Sequence, residues 1–186
     1  MNALSFALIF FAAPSLADAQ VKTAVVNVEK VMNSTEHWKT AVAELEKDRK
    51  LKQAALESKQ KELKDRKEKL DATKAVSAAN ATIKDEEQLF KDAQELTQAF
   101  LMQQQELTNW EKRITEAMLE RVELVVREVA LTGDYEFVFE VGPEQTPNVL
   151  YANKNIDITQ KVIDIYGQRY KGKALDVKKP GATKTK

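Results

Sequence analysis

The sequence has little glycine or proline, and what it has is confined to its two ends. The 186 residues include five glycines and four prolines, and residues 15–132 contain neither. These two residues normally interrupt helices and mark turns, so their absence over this span favours very long helices. Both return from Gly133 onward, which predicts a small segment of strands and turns after the helices.

Cysteine is absent and His37 is the only histidine. Without a second soft ligand, a zinc site at His37 is disfavoured, and we place this side chain on the surface near the base of the helices. The carboxylate pairs at 86–87 and at 134 and 136 have no neighbouring base or nucleophile, and no glycine loop could hold a phosphate. The sequence therefore predicts no catalytic, cofactor-binding or metal site, and a protein that is not an enzyme.

The first nineteen residues differ in kind from the rest of the chain. Residues 3–13 are nearly all apolar, Pro14 follows, and Ala17, Asp18 and Ala19 fit an A-x-A cleavage site. An apolar run of about eleven residues is well short of the roughly 20 that a membrane-spanning helix needs. Although no lysine or arginine precedes the run, it predicts a signal peptide over residues 1–19 that is cleaved before Gln20 and directs export.

A β-branched run at 23–28 predicts a buried strand, and a helix is expected to begin near Thr35. Along that helix the positions that would face a partner alternate between two kinds of side chain. The apolar ones are Val42, Leu45, Leu56, Leu63 and Leu70, and the basic ones are Arg49, Lys52, Lys59 and Arg66. About half of this seam is therefore polar.

The helical pattern weakens over residues 72–82, and we place a turn at Ser77–Ala79. Beyond it, apolar residues recur at alternating spacings of three and four, as in a coiled coil. These are mainly Leu89, Ala93, Leu96, Phe100, Leu107, Trp110, Ile114 and Ala117. Residues 47–74 carry a net charge of +5 and residues 75–111 a net charge of −5. Opposite charges favour an antiparallel hairpin over an uninterrupted rod, so residues 35–130 are predicted to form a helical arm.

The last third predicts a small β-rich body made from residues 20–34 and 131–167. Strands are expected at 135–141 and 148–152, and a short helix from about 157 to 166 with Asp157 or Thr159 as its cap. Three short strands leave open edges, which pairing between copies of the chain would complete. The candidate subunit contacts are Val26, Val28, Val138 and Leu150. Residues 168–186, a lysine-rich segment, are predicted to be a disordered tail.

The order of these motifs resembles the Skp family of periplasmic chaperones, also called OmpH-like. The resemblance rests on residues 24–31, 133–139, 149–152 and 155–159. It implies a homotrimer with three helical arms around a cavity, and an ATP-independent holdase for unfolded outer-membrane proteins in the periplasm. Members of this family are often strongly basic, whereas this chain has a net charge of zero. Contact with anionic lipid is therefore expected only through residues 168–186.

The predicted fold class is mainly α with a small β body, in which a long antiparallel coiled-coil arm stands on a three-strand base completed by trimerisation. Lys59, Arg66 and Phe90 are the candidate client-facing residues of the arm. No cofactor and no nucleic-acid partner is expected. Two alternatives stay open: a structural coiled-coil protein that bridges partners in the cell envelope, and a lipid-surface binder acting through the basic tail.

Overall fold

The computed structural model describes residues 21–73, 79–143 and 146–180 and confirms the α+β class. The elements follow in this order: strand β1 (Thr23–Val26), helices α1 (Val28–Ser34), α2 (Glu36–Thr73) and α3 (Ala79–Thr132), strand β2 (Phe137–Glu140), a 3₁₀ turn (Lys154–Ile156) and helix α4 (Thr159–Arg169). The predicted signal peptide, residues 1–19, lies outside the described residues. Within them, no helix is both long enough and apolar enough to cross a membrane.

Helices α2 and α3 run side by side in opposite directions and form the predicted arm. Lys52, in the first half of α2, contacts Glu106 at the middle of α3, and Arg66, further along α2, contacts Asp92, which lies earlier in α3. This order of contacts is what an antiparallel hairpin requires. The predicted turn at Ser77–Ala79 falls largely on residues 74–78, which lie outside the described part of the chain.

A short helix that the sequence analysis missed lies between β1 and α2. The predicted strand over 23–28 ends at Val26, because Asn27 caps α1: its Oδ1 accepts the N–H of Lys30 at 2.7 Å. Thr35 then separates α1 from α2 in an extended conformation, and its hydroxyl accepts the N–H of Trp38 at 3.2 Å. The predicted start of the long helix near Thr35 is therefore confirmed, but a first helix precedes it.

The sheet has two parallel strands, not three. Thr23 pairs with Phe137 and Val26 with Glu140, so the beginning and the later part of the chain meet in one sheet. The strand predicted at 148–152 is absent, because the N–H groups of Asn148 and Val149 both point to the carbonyl of Val141 and close a turn. A single bridge between Val25 and Asp157 takes the place of a third strand.

The main core lies in the body, between β1, α1, α4 and the second half of α3. Its buried apolar residues are Ala24, Val26, Val31, Met32, Met118, Val122, Val125, Val129, Ile158, Val162 and Tyr166. Residues from Met118 onward thus pack the body, although the sequence analysis assigned residues 35–130 to the arm. A smaller cluster of Leu45, Leu107, Trp110 and Ile114 fills the base of the arm.

Helix α4 is fixed to β1 and α1 by its first residues. The N–H of Thr159 donates to Asp157 Oδ1 at 2.8 Å, and the Thr159 hydroxyl accepts the N–H of Asn27 at 2.9 Å. The N–H of Ile158 donates to the carbonyl of Val25 at 2.9 Å. The N-cap itself is Ile158, which makes no side-chain capping hydrogen bond, so the prediction of Asp157 or Thr159 as the cap is wrong. Thr159 instead joins the helix to the start of the chain.

The C-terminal segment departs from the expected disordered tail over residues 168–180. Helix α4 continues to Arg169, and the segment then turns at Gly172, whose φ is +70°. Leu175 and Val177 pack against the small cluster at the base of the arm. These two apolar side chains supply the contacts that a purely basic tail would lack. Residues 181–186 lie outside the described part of the chain.

Candidate functional site: the arm, its base and the body face

The arm exposes large apolar side chains among charged and polar residues, mostly far apart along the chain but with one run of three at residues 100–102. They are Leu51 on α2 and Ile83, Phe90, Phe100, Leu101 and Met102 on α3. Over the same stretch the buried residues of α2 are limited to Leu45 and Asp48. A pair of helices has no third layer, so apolar residues that do not face the partner helix stay in contact with solvent. The arm surface is therefore suited to many weak, non-directional contacts.

The three predicted arm residues have different environments. Phe90 is 65% exposed and is available to a partner molecule. Lys59 is also exposed. Arg66, by contrast, contacts Asp92 across the hairpin and so contributes to holding the two helices together. The structure of one chain leaves the client-facing role of all three as a prediction.

Ion pairs occupy the seam where the sequence has basic residues in place of leucines. Lys52 Nζ lies 2.8 Å from Glu106 Oε2 and 3.5 Å from Asp48 Oδ2. Partial burial lowers the pKa of Lys52, but the hydrogen bond and charge of Glu106, together with Asp48, outweigh it and raise the pKa above 10.5. Hydrogen bonds from Gln88 and Arg66 lower the pKa of Asp92. Two of the four basic seam residues, Lys52 and Arg66, are thus paired across the arm.

The body carries a second apolar surface, formed around the sheet. Val28 and Val138 line an open groove of ≈ 430 Å³ together with Val126 of α3. Phe137 and Phe139 stack on each other, with ring centroids 6.1 Å apart, and both are exposed. One chain therefore leaves a large part of the body's apolar surface uncovered.

The four predicted subunit contacts do not lie together. Val26 is buried inside the single chain and packs its core, whereas Val28 and Val138 are half-buried at the groove. Leu150 is 93% exposed, on the irregular segment after the Gly142 turn. A role in subunit contact stays a prediction for these residues, and Leu150 has the most surface to offer.

A cavity at the base of the arm was not foreseen from the sequence. It measures ≈ 670 Å³ and lies between the start of α2, Trp110 and Ile114 of α3, the end of α4 and residues 171–177. The signal was the pair of apolar residues, Leu175 and Val177, inside an otherwise basic tail. Two such residues in a charged segment indicate an apolar surface that they can cover.

The described residues contain no group of histidine and carboxylate side chains arranged to hold a metal ion. What the described surfaces offer is apolar area, charge and length, all of which serve non-covalent binding.

Comparison with known proteins agrees with this geometry. The family model described as outer membrane protein (OmpH-like) matches residues 22–166. A crystal structure of a protein from Caulobacter crescentus, provisionally named an outer membrane chaperone (OmpH-like), superposes with a TM-score of 0.75 at 19% identity. The superposition covers 89% of this chain and 95% of that one. None of the curated proteins compared matches the sequence.

Proposed function

Because the chain belongs to the OmpH-like family, in which a chaperone role is supported, we propose that it is an ATP-independent holdase of the periplasm. Its clients are unfolded outer-membrane proteins, which it surrounds with its helical arms and keeps from aggregating. The export signal predicted over residues 1–19 and the family's name support this location and client class.

One observation carries the proposal: a thin, long arm that exposes apolar side chains at several separated places along its length. Helix α2, which forms one side of the arm, has 38 residues, and at 1.5 Å per residue it is about 57 Å long. Such an arm can contact a client at many separated points, each of which is weak. Weak contacts hold a chain loosely and allow it to leave without an energy source, because only the surplus over the cost of binding appears as affinity.

Assembly of the chain into a homotrimer is part of the same proposal. In the described residues no strand pairs with the outer edge of β2, and Leu150 and Tyr151 are almost fully exposed in one chain. Exposed sheet edges and apolar patches of this kind are normally covered by another chain. The number three comes from the family resemblance, and the uncovered surface supports self-association.

The test is an aggregation assay with an outer-membrane β-barrel diluted from denaturant and followed by light scattering. We expect equimolar assembly to suppress scattering without ATP. A variant with Phe100→Ser, Leu101→Ser and Met102→Ser should lose most of this suppression, since it removes three exposed apolar side chains from the arm.

The matched control changes three exposed glutamines of the same helix, with Gln98→Ser, Gln104→Ser and Gln105→Ser. This control should suppress aggregation as well as the unchanged protein does. Native mass measurement on all three proteins checks that the assembly is intact. If the unchanged protein leaves scattering as it was, the holdase proposal is wrong, and a structural bridging role takes its place.

A further inference from the structure

The C-terminal segment lies in a groove at the base of the arm as a ligand would. Leu175 and Val177, two residues apart, both pack against the cluster formed by Leu45, Leu107, Trp110 and Ile114. The segment is irregular in backbone conformation after α4. Its place in the groove therefore depends on side chains inserted into the cluster and on the few polar contacts around them.

A charged contact defines the far end of the same groove. Lys179 Nζ lies 2.9 Å from Asp48 Oδ1 and 5.4 Å from the centre of the Trp110 ring. Asp48 is a carboxylate of α2 that is only 8% exposed, and Lys52 lies on its other oxygen at 3.5 Å. A buried acid beside an aromatic face is a favourable site for a lysine or arginine side chain.

The polar contacts nearer α4 are made to backbone atoms of the segment. Arg121 Nη2 donates to the carbonyl of Ala174 at 2.6 Å, and His37 Nε2 contacts the carbonyl of Lys173. Backbone carbonyls are present in any peptide, so these contacts do not depend on the sequence that occupies the groove. The specific elements are two apolar side chains and one cation.

The groove also has room beyond the segment that covers it. The cavity of ≈ 670 Å³ is walled on one side by residues 171–177 and on the others by α2, α3 and α4. Movement of the segment would widen this cavity, which is already partly open to solvent, and join it to the surface now covered by Leu175 and Val177.

Resting on the proposed function, we infer that this groove is a binding site for client segments with two apolar residues two positions apart, followed by a lysine or arginine. Residues 173–180 occupy it as an internal competitor. Strands of membrane β-barrels alternate apolar and polar residues with a period of two, so unfolded barrels contain many segments of this pattern. Because the tethered segment competes for the groove, a client segment must bind the groove more tightly to displace it.

The experiment measures binding of a fluorescein-labelled peptide with the sequence of residues 171–180 to the full mature protein by fluorescence anisotropy. With the segment in place, the apparent dissociation constant equals the intrinsic dissociation constant divided by the fraction of protein whose groove is open. Leu175→Ser with Val177→Ser should release the segment and tighten peptide binding by about ten-fold or more if the closed form dominates by that factor. Equal affinity for the released and unchanged proteins would overturn the inference.

A second pair of variants keeps the test independent of the apolar changes. Lys179→Glu places a carboxylate beside Asp48 and should also tighten peptide binding, whereas Lys178→Glu makes the same charge change at the neighbouring exposed lysine and should not. A peptide with serine in place of both apolar residues should bind none of the proteins tightly. Indistinguishable behaviour of the two lysine variants, or of the two peptides, would overturn the inference.

The aggregation assay, run on the same proteins, separates this inference from the proposed function. If aggregation is suppressed but all the proteins bind the peptide with equal affinity, the holdase proposal is kept and the groove is rejected as a client site. If releasing the segment tightens peptide binding but no protein suppresses aggregation, the groove is supported as a binding site and the holdase proposal is rejected. A released segment that docks into a second copy would raise the native mass above that of the unchanged protein, and this result would reject a client site.

Discussion

Helix α3 passes through two regions of the molecule, and its two halves are packed very differently. From Leu107 to Val129, apolar residues spaced by three and four are buried almost completely. From Ile83 to Met102, large apolar residues are exposed, and the inward-facing Leu89 and Leu96 are only half-buried. The sequence pattern is similar in both halves, so the difference lies in what surrounds the helix.

The comparison shows that the number of elements packed around a helix, more than the spacing of its apolar residues, decides how much each residue contributes to stability. In the body, α1, α4 and the sheet enclose α3, whereas in the arm α2 covers one side alone. Apolar surface stabilises a fold in proportion to the area removed from water. The body should therefore carry most of the free energy of unfolding, and the arm should open locally at much lower cost.

Met118→Ala should give the largest effect. Met118 is fully buried, and the hydroxyl of Tyr166 donates to its sulfur at 3.5 Å. Truncation of a buried methionine costs about 2–5 kcal/mol, whereas Leu63→Ala in the half-buried seam of the arm should cost clearly less. Urea unfolding at a fixed protomer concentration measures both. Equal losses would show that the arm is as well packed as the body.

Asn27→Ala should have an intermediate effect, confined to the body. The change removes the side-chain oxygen that accepts the N–H of Lys30 at the start of α1. Loss of such a cap costs about 1 kcal/mol. The same urea experiment measures it, and Asn33→Ala, an exposed asparagine within α1, is the control that should change stability less. A larger loss at Asn33 would contradict the assignment of the cap.

Asp92→Asn should have the smallest effect, because the pair with Arg66 lies on the exposed surface of the arm. The pKa of Asp92 is lowered from 3.8, chiefly by Gln88 and Arg66. A carboxyl group whose pKa is lowered by folding stabilises the folded state at any pH above its ordinary pKa. This stabilisation is lost as the pH falls through the lowered pKa.

The difference between the Asp92→Asn variant and the unchanged protein should therefore be present at neutral pH and vanish in acid. It should also shrink as salt is added, since exposed charges are screened. Asp85→Asn makes the same charge change on the same helix and serves as the control. An Asp92→Asn effect that persists in acid or in high salt would show that the arm is held by something other than this pair.

The arm and the fold class could be predicted from the sequence, because the length and pairing of the two helices follow from the spacing of apolar residues and from charge. The absence of glycine and proline, the three-and-four spacing after Leu89 and the opposite charges of the two helices each depend on neighbours in the chain. Those charges indicated that the two helices pair, but the particular contact of Arg66 with Asp92 was not predicted, since Arg66 was a candidate client-facing residue.

The details of the body could not be predicted in the same way. Whether residues 148–152 form a strand depends on where their N–H groups find acceptors, and the carbonyl of Val141 takes two of them. Helix α1 was hidden because Asn27 follows a β-branched run that reads as one continuous strand. The lysines of the C-terminal segment predicted disorder, and two apolar residues, Leu175 and Val177, were too few to indicate packing while the cluster at the arm base was unknown.

The parallel pairing of β1 with β2 has a consequence for how the chain acquires its structure during synthesis. Thr23 pairs with Phe137, so the whole arm is interposed between the two strands. Contacts between residues far apart in sequence form late, because a long loop must close first. The two helices of the arm can pair from the turn onward as they are synthesised. Their pairing brings β1 and β2 close together, so that a much shorter loop remains to be closed. Strand β1 can therefore pair only after β2 has been synthesised, and a chain interrupted before β2 would have the arm without the sheet that joins its two ends.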